Sequence, residues 1–119
     1  MERPVIYYVF DVLCSWCYGF SPNIKKLQEE YKDQIDFRVM SGGMVIGDRE
    51  GPIRDLAPEI VDTFKRIEEM SGQPFSPEFY ALQEKGDAIL SSLPGALALA
   101  AFRTYQPDNA VQFASRMQE

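Results

Sequence analysis

Hydrophobic residues in the first forty positions follow a strand–helix–strand pattern. The run from Val5 to Phe10 is continuous, β-branched and aromatic, which is typical of a parallel strand covered on both faces. The apolar positions of the next segment recur at spacings of four, three and four: Phe20, Ile24, Leu27 and Tyr31. This spacing predicts a helix that ends near Lys32, with these four side chains facing the core. Ile35, Phe37 and Val39 then alternate with polar residues, so a βαβ unit is predicted.

Beyond Gly51 the pattern becomes helical, and no further strand of comparable quality is predicted. Prolines in positions suited to a first helical turn mark the starts of the helices: Pro58, Pro77, Pro94 and Pro107. Ser76 is expected to cap the second of these helices, which is predicted to run through Leu82. Residues 1–50 are therefore predicted to form a βαβ unit, and residues 51–119 an all-helical region.

The predicted sheet is incomplete as it stands. Two parallel strands alone are unusual, because parallel sheets normally bury both faces under helices and contain more strands. The last predicted helix also continues through Met117, Gln118 and Glu119 without a Gly or Asn stop signal. We therefore expect the chain to be the N-terminal part of a longer protein, or to complete its sheet by association, for example as a homodimer.

Composition and charge exclude several classes of partner. The 119 residues are enough for about one domain, and 12 basic against 18 acidic side chains give a net charge of −6. No segment is basic enough to neutralise a nucleic-acid backbone or an anionic membrane, and none approaches the length of a membrane span. The Val5–Phe10 run is too short for a secretory signal, so a cytoplasmic location is expected. Since the chain has no histidine, imidazole catalysis and His-ligated metal sites are excluded within it.

The two cysteines are the strongest candidates for chemistry. Cys14 and Cys17 form a C-x-x-C motif between the first strand and the long helix. Unpaired N–H groups and the positive end of that helix favour a thiolate at Cys14. Cys17 lies one turn later, within reach of a disulfide with Cys14. We predict that Cys14 attacks a substrate disulfide and that Cys17 resolves the mixed disulfide, while Trp16 and Tyr18 offer an apolar surface or simply pack at the helix start.

Two other interpretations of the cysteine pair carry less weight. A zinc site needs four ligands, and the chain offers neither a third cysteine nor a histidine, so no metal is expected. Buried structural thiols are the other alternative, but a loop between strand and helix in a βαβ unit favours redox chemistry. Asp11, at the end of the first strand, is interpreted as a strand-end cap, with proton transfer as the alternative.

The segment around the cysteines resembles a known family. Residues 9–22, with the sequence VFDVLCSWCYGFSP, are similar to the active-site segment of the DsbA-like thioredoxin-fold superfamily, in particular its cytoplasmic disulfide-isomerase-like and FrnE-like members. Pro22 matches the proline that kinks the first helix of thioredoxins. Further similarity to the helical insertion of this family is carried by three segments: Ser41-Gly42-Gly43-Met44, Gly72-Gln73-Pro74-Phe75 and Ser92-Leu93-Pro94.

The resemblance implies a fold and a set of site residues. It implies the α/β class: a thioredoxin-like βαβ unit, then a helical insertion, with the C-terminal strands of the thioredoxin fold absent. Cys14 would be the exposed nucleophile and Cys17 the buried resolving thiol. Four further residues would bind substrate or shape the site: Ser15, Trp16, Tyr18 and Pro22.

The implied activity is that of a thiol-disulfide oxidoreductase or protein disulfide isomerase. Its substrate would be a disulfide-containing protein or a small thiol, with no bound cofactor and with glutathione as a candidate co-substrate. Ser15 and Trp16 stand where DsbA has a histidine between its cysteines, so a weaker oxidant than DsbA is expected. Two alternatives remain: a glutathione-linked isomerase or transferase of the kappa or hydroxychromene-carboxylate type, which usually has serine as the nucleophile, and a non-catalytic interaction adaptor.

Overall fold

The computed structural model describes residues 2–56 and 60–119, which form four strands and six helices. The strands are β1 (Val5–Phe10), β2 (Asp36–Ser41), β3 (Gly51–Pro52) and β4 (Ile89–Leu90). The helices are α1 (Ser15–Tyr31), α2 (Ile53–Leu56), α3 (Ile60–Ser71), α4 (Pro77–Lys85), α5 (Leu93–Tyr105) and α6 (Ala110–Gln118). Short 3₁₀ turns occupy Gly47–Arg49 and Pro107–Asn109.

The predicted βαβ unit is confirmed. β1 and β2 pair in parallel, with Ile6 opposite Phe37 and Tyr8 opposite Val39, and α1 connects them. One face of this sheet carries the core, which also includes residues from α1, α5 and α6. The buried apolar members are Phe10, Ile24, Val39, Leu99, Ala110, Val111 and Ala114. Residues beyond position 50 therefore complete the core on which the βαβ unit depends.

The expectation that β1 is covered on both faces is wrong for the described residues. Tyr7 and Val9 are 63% and 58% exposed, and Met40 on β2 is also exposed beside them. The reason is that the helices contribute their core residues to the face that carries Phe10 and Val39. The continuous apolar run of β1 therefore reflects one packed face and one open apolar face.

The buried face of α1 also differs from the prediction. Ile24 is buried as expected, but Phe20 and Tyr31 are exposed. The polar residue Gln28 is buried instead, because its amide donates to the carbonyl of Asp108 at 3.2 Å and accepts from Gln112 Nε2 at 2.6 Å. Contacts of α1 with both α3 and α6 broaden the buried surface beyond one apolar stripe.

The helix start at Pro77 is confirmed, and its end is later than predicted. The Ser76 hydroxyl accepts a hydrogen bond from the N–H of Phe79 at 3.1 Å, which satisfies one free donor of the first turn. α4 continues to Lys85, where Gly86 ends it in the left-handed conformation at φ 74°. The helix start expected at Pro58 lies outside the described residues.

The description of residues 51–119 as all-helical requires one correction. β3 and β4 pair antiparallel, with Gly51 opposite Leu90 and Pro52 opposite Ile89. The N–H of Ile53 extends this contact by donating to the carbonyl of Ala88 at 2.9 Å. A ladder of two residues per strand is too short to produce an alternating pattern that sequence can reveal. The domain division at residue 50 remains a prediction.

Gly19 permits close contact between α1 and α3. A Cβ atom at Gly19 would lie 2.8 Å from Ile67 Cγ2 and 3.1 Å from Ser71 Oγ. Ile67 is completely buried on α3, so its side chain has little freedom to move aside. The missing side chain at Gly19 therefore determines how closely α3 approaches α1.

We predict that Gly19→Ala lowers the free energy of unfolding by about 1 kcal/mol. Overpacking a core contact costs about 1–3 kcal/mol, which outweighs the gain in helix propensity of up to about 1 kcal/mol. Urea denaturation checks the prediction. Gly51→Ala is the matched control, because a Cβ there meets no atom within 4 Å. A Gly19→Ala protein as stable as the wild type would contradict this account of the α1–α3 contact.

Candidate functional site

Cys14 lies at the N-terminus of α1. The loop between β1 and α1 places Cys14 as the N-cap residue, with extended backbone angles of φ −77° and ψ 105°. Its Sγ atom accepts a hydrogen bond from the N–H of Cys17 at 3.3 Å. Both cysteines are free thiols and partly buried. The sulfur of Cys14 thus replaces the oxygen of an ordinary capping side chain and lies at the positive end of the helix.

The two thiols have opposite acidities. The pKa of Cys14 is lowered to about 6, chiefly because the Cys17 thiol donates a hydrogen bond to it, and further because the backbone N–H groups of Cys17 and Trp16 stabilise the thiolate. Burial and the negative charge of Asp11 act in the other direction. The pKa of Cys17 is raised strongly, first by the same side-chain hydrogen bond and then by burial. At neutral pH Cys14 is therefore the thiolate and Cys17 the thiol.

Tyr8 lies beside the cysteine pair, a position that the sequence alone does not reveal. Burial raises the pKa of its hydroxyl, and the negative charges of Cys17 and Cys14 raise it further. Tyr8 is part of the apolar run of β1, where a tyrosine is indistinguishable from a core residue. Only the packing of β1 against α1 reveals its position next to the thiols.

Asp11 anchors the loop that carries Cys14. Its carboxylate is 4% exposed and accepts three hydrogen bonds: from Leu13 N at 2.9 Å, from Met44 N at 2.8 Å and from Ser92 Oγ at 2.9 Å. The bond from Leu13 N confirms the interpretation of Asp11 as a strand-end cap. The other two bonds connect the loop to the segment after β2 and to the start of α5.

Ser92 is the second residue of this network and is completely buried. Besides donating to Asp11, its hydroxyl accepts from Val45 N at 2.9 Å, and its own N–H donates to Val45 O at 2.7 Å. Although Ser92 directly precedes α5, its side chain makes no capping hydrogen bond to that helix. Its role depends on contacts with residues 47 and 81 positions away in the sequence.

α6 supports the same loop from another side. Gln118 Nε2 lies within hydrogen-bonding distance of three loop carbonyls, those of Asp11 (3.2 Å), Val12 (3.3 Å) and Cys14 (2.9 Å). On α5, Gly95 allows the side chain of Val12 to approach closely, since a Cβ would lie 2.7 Å from Val12 Cγ1. The sequence showed Gln118 only as part of an amphipathic helix.

Pro22 shapes the site through the backbone of α1. Because proline has no N–H, the carbonyl of Tyr18 has no partner four residues later in the helix. This carbonyl instead accepts from Ser21 Oγ at 2.8 Å and from Gln73 Nε2 at 3.4 Å. Pro22 itself is exposed and faces no cavity. Its effect is to connect α1 with the segment after α3.

A cavity of about 640 Å³ opens beside the Cys14 loop. Of the residues predicted for the site, Cys14, Ser15, Trp16 and Tyr18 line this cavity, whereas Cys17 and Pro22 do not. Cys17 packs against the core instead. The Cys14 thiolate therefore faces the cavity, whereas the Cys17 thiol faces the core.

The far wall of the cavity is aromatic. Phe75 and Phe79 stack with ring centroids 5.0 Å apart, and Phe64 lies 5.0 Å from Phe75 and 4.9 Å from Phe79. Tyr18 joins this group at 4.9 Å from Phe75, and its hydroxyl donates to Pro74 O at 2.7 Å. Tyr18 therefore packs against the wall, while Trp16 lines the cavity and is 44% exposed.

Other kinds of site are not found in the described part of the chain. Within residues 2–56 and 60–119, no three His, Cys, Asp or Glu side chains cluster in a way that could hold a metal ion. Among the described helices, none combines the length and apolar character that crossing a bilayer requires.

Comparison with solved structures shows which proteins share this fold. The chain is similar to a candidate protein disulfide isomerase from Nitrosomonas europaea, with a TM-score of 0.80 and 26% identity over 98% of this chain and 54% of that one. It is similar to the cytosolic disulfide reductase DsbM from Pseudomonas aeruginosa, with a TM-score of 0.79 and 27% identity over 96% of this chain and 52% of that one. A further DsbM structure, with GSH, has a TM-score of 0.77. The predicted fold class and the resemblance to DsbA-like thioredoxin-fold proteins are confirmed.

Comparison of sequences gives a weaker relation. The chain is 28% identical over 125 residues to the ClpXP adapter protein SpxH of Halalkalibacterium halodurans, an alignment that covers 99% of this chain. The chain spans 39% of that relative and about half the length of the similar solved structures. No family model matches the sequence.

We predict that the low pKa of Cys14 depends on the hydrogen bond from the Cys17 side chain. Alkylation of Cys14 by iodoacetamide should increase with pH around a midpoint of about 6. Cys17→Ala removes the donor and should move the midpoint upward, whereas Cys17→Ser keeps an O–H donor and should move it less. Equal midpoints in the Cys17→Ala variant and the wild type would show that the helix N–H groups alone lower the pKa.

We predict that Asp11→Asn lowers the free energy of unfolding by about 2–3 kcal/mol, because the amide places a donor against the donors that the carboxylate accepted. Loss of the negative charge should also lower the pKa of Cys14 further. Urea denaturation and pH-dependent alkylation measure the two effects. Asp36→Asn is the matched control: its carboxylate is 45% exposed and bonded to Arg3, so a change of at most about 1 kcal/mol is expected.

Proposed function

We propose that this chain carries the active site of a thiol-disulfide oxidoreductase. The Cys14 thiolate attacks one sulfur of a substrate disulfide, the substrate S–S bond breaks, and the leaving thiolate takes a proton from solvent. Cys17 then loses its proton and attacks Cys14 Sγ, which releases the second substrate thiol and leaves a Cys14–Cys17 disulfide. The substrate gains two electrons, and an external thiol reductant restores the pair. The same steps in reverse would oxidise a dithiol.

One observation carries this proposal: Cys14 caps α1, receives a hydrogen bond from Cys17 and faces the cavity. A structural thiol buried in a core would have its pKa raised by burial and would be inert. The lowered pKa of Cys14 is instead typical of a nucleophilic thiol. The shared fold with a cytosolic disulfide reductase and a candidate disulfide isomerase supports the same class of reaction.

The same relatives support part of the expected surroundings. DsbM is described as cytosolic and has been solved with GSH, which supports a cytoplasmic location and glutathione as a co-substrate. Disulfide isomerase activity would use the same cysteine pair, because resolution and reversal of a mixed disulfide involve the same two thiols.

A non-catalytic adaptor is the second candidate function. The similarity to the ClpXP adapter protein SpxH favours it, although the chain spans 39% of that protein. An adaptor would need no acidic thiol, so the chemistry at Cys14 separates the two candidates.

We predict that Cys14→Ser lowers the reduction of insulin disulfides to the uncatalysed rate of dithiothreitol, the reductant, measured as turbidity. In the absence of dithiothreitol, Cys17→Ser should trap a mixed disulfide with the substrate, visible by mass spectrometry, because the resolving thiol is missing. Thr104→Ser is the matched control, since Thr104 is exposed on α5 and does not line the cavity. Equal activity of the wild type and Cys14→Ser would remove the enzymatic proposal and leave the adaptor.

A further inference from the structure

The cavity beside Cys14 combines an apolar region with polar side chains, among which are Arg49, Gln83, Gln118 and the carboxylate of Glu119. Glu119 is paired with Arg116 at 2.9 Å. The aromatic wall of the cavity consists of Phe64, Phe75 and Phe79. Hydrogen bonds to Glu68 stabilise this wall: its carboxylate accepts from Phe75 N at 3.0 Å and from the hydroxyl of Tyr80. A volume of about 640 Å³ falls within the usual range of small-molecule sites, about 300–1,000 Å³.

Arg49 is the cationic side chain among the described residues that line the cavity. It lies at the end of the 3₁₀ turn Gly47–Arg49, which is closed by bonds from Arg49 N to Ile46 O at 3.2 Å and from Gly47 N to Glu50 Oε1 at 2.9 Å. Within residues 2–56 and 60–119, no carboxylate lies within ion-pair distance of Arg49. Arg49 is exposed, and in a chain of net charge −6 its guanidinium can pair with an anionic group of a ligand in the cavity that Cys14 also lines.

Gln83 contributes a side-chain amide to the lining. Its Oε1 atom is buried and receives no hydrogen bond from any described residue. A buried polar atom without a partner is costly and rare in folded proteins. A ligand with an N–H or O–H group would satisfy Gln83 and lower that cost.

We propose that this cavity binds a low-molecular-weight disulfide whose flanking group is aromatic and carries a carboxylate. The ring packs on the three phenylalanines, the carboxylate pairs with Arg49, and Gln83 accepts from a donor of the ligand where one exists. The substrate sulfur then lies at Cys14 on the cavity edge. This inference rests on the proposed function, because it assigns the substrate class of the same nucleophile.

The reaction of such a substrate balances as two exchanges. Cys14 displaces one aryl thiolate and forms a mixed disulfide, and Cys17 displaces the second aryl thiolate and forms the internal disulfide. One disulfide is reduced to two thiols while the cysteine pair is oxidised, and dithiothreitol returns the pair to its reduced state. An aryl thiolate is also a good leaving group because its pKa is low.

Two probe disulfides test the assignment by stopped-flow absorbance. 5,5′-Dithiobis(2-nitrobenzoate) carries an aromatic carboxylate on each sulfur, and 4,4′-dithiodipyridine is aromatic and lacks one. Arg49→Gln should lower the ratio of the two second-order rate constants by about fivefold or more, because only the first probe loses an ion pair. Arg66→Gln is the matched control: it removes the same charge from an exposed site on α3 outside the cavity, and the ratio should stay within about twofold.

A binding measurement without chemistry separates this inference from the proposed function. Trp16 is the only tryptophan of the sequence and lines the cavity, so its fluorescence reports occupancy. In the Cys14→Ser variant, 3-phenylpropionate should bind at least about fivefold more tightly than 3-phenylpropanol, and Arg49→Gln should remove the difference.

The results of these two experiments distinguish failure of this inference from failure of the proposed function. One pair of results would overturn this inference and leave the proposed function intact. The protein would react with both disulfides, but the ratio of the two rate constants would be equal in Arg49→Gln and Arg66→Gln. The fluorescence titration would also show no preference for the carboxylate. Carboxylate binding that depends on Arg49, with no Cys14-dependent reaction of either disulfide, would refute the proposed function and with it the assignment of a disulfide substrate.

Discussion

The buried carboxylate of Asp11 is the constraint on which the site depends. A charge removed from water is tolerated only when hydrogen bonds compensate for the lost hydration, and here Leu13, Met44 and Ser92 supply the donors. These donors come from the loop after β1, the segment after β2 and the residue before α5. The three segments are thereby connected through one carboxylate, and the carbonyl of the same residue accepts from Cys14 N at 3.0 Å.

The acidity of Cys14 results from opposing influences. Hydrogen bonds from the Cys17 side chain and from N–H groups at the start of α1 stabilise the thiolate, while burial and the Asp11 charge favour the thiol. The hydrogen bonds prevail, and the pKa is lowered to about 6. Because Cys17 is the donor in this pair, its own pKa moves upward, so the two thiols of one motif differ in acidity.

The site is assembled by both parts of the chain. The βαβ unit provides the cysteines, but α3, α4 and the segment between them provide the wall of the cavity. Three features of α1 allow this contact: the Tyr18 ring packs on Phe75, Gly19 admits Ile67, and Pro22 frees a carbonyl for Gln73. The position of α1 is therefore fixed by the helical region as much as by its own sheet.

The sequence by itself determined the elements of the βαβ unit and the place of the C-x-x-C motif at the start of α1. Apolar periodicity predicted β1, α1 and β2, and the C-x-x-C motif at a helix start predicted an acidic thiol, because both signals are local. It could not reveal Tyr8, Ser92, Gln118 or the Arg49 side of the cavity, since each acquires its role from residues far away in the chain. It also misjudged the faces of β1 and α1, because apolar spacing indicates which residues can be buried, and only tertiary packing decides which of them are.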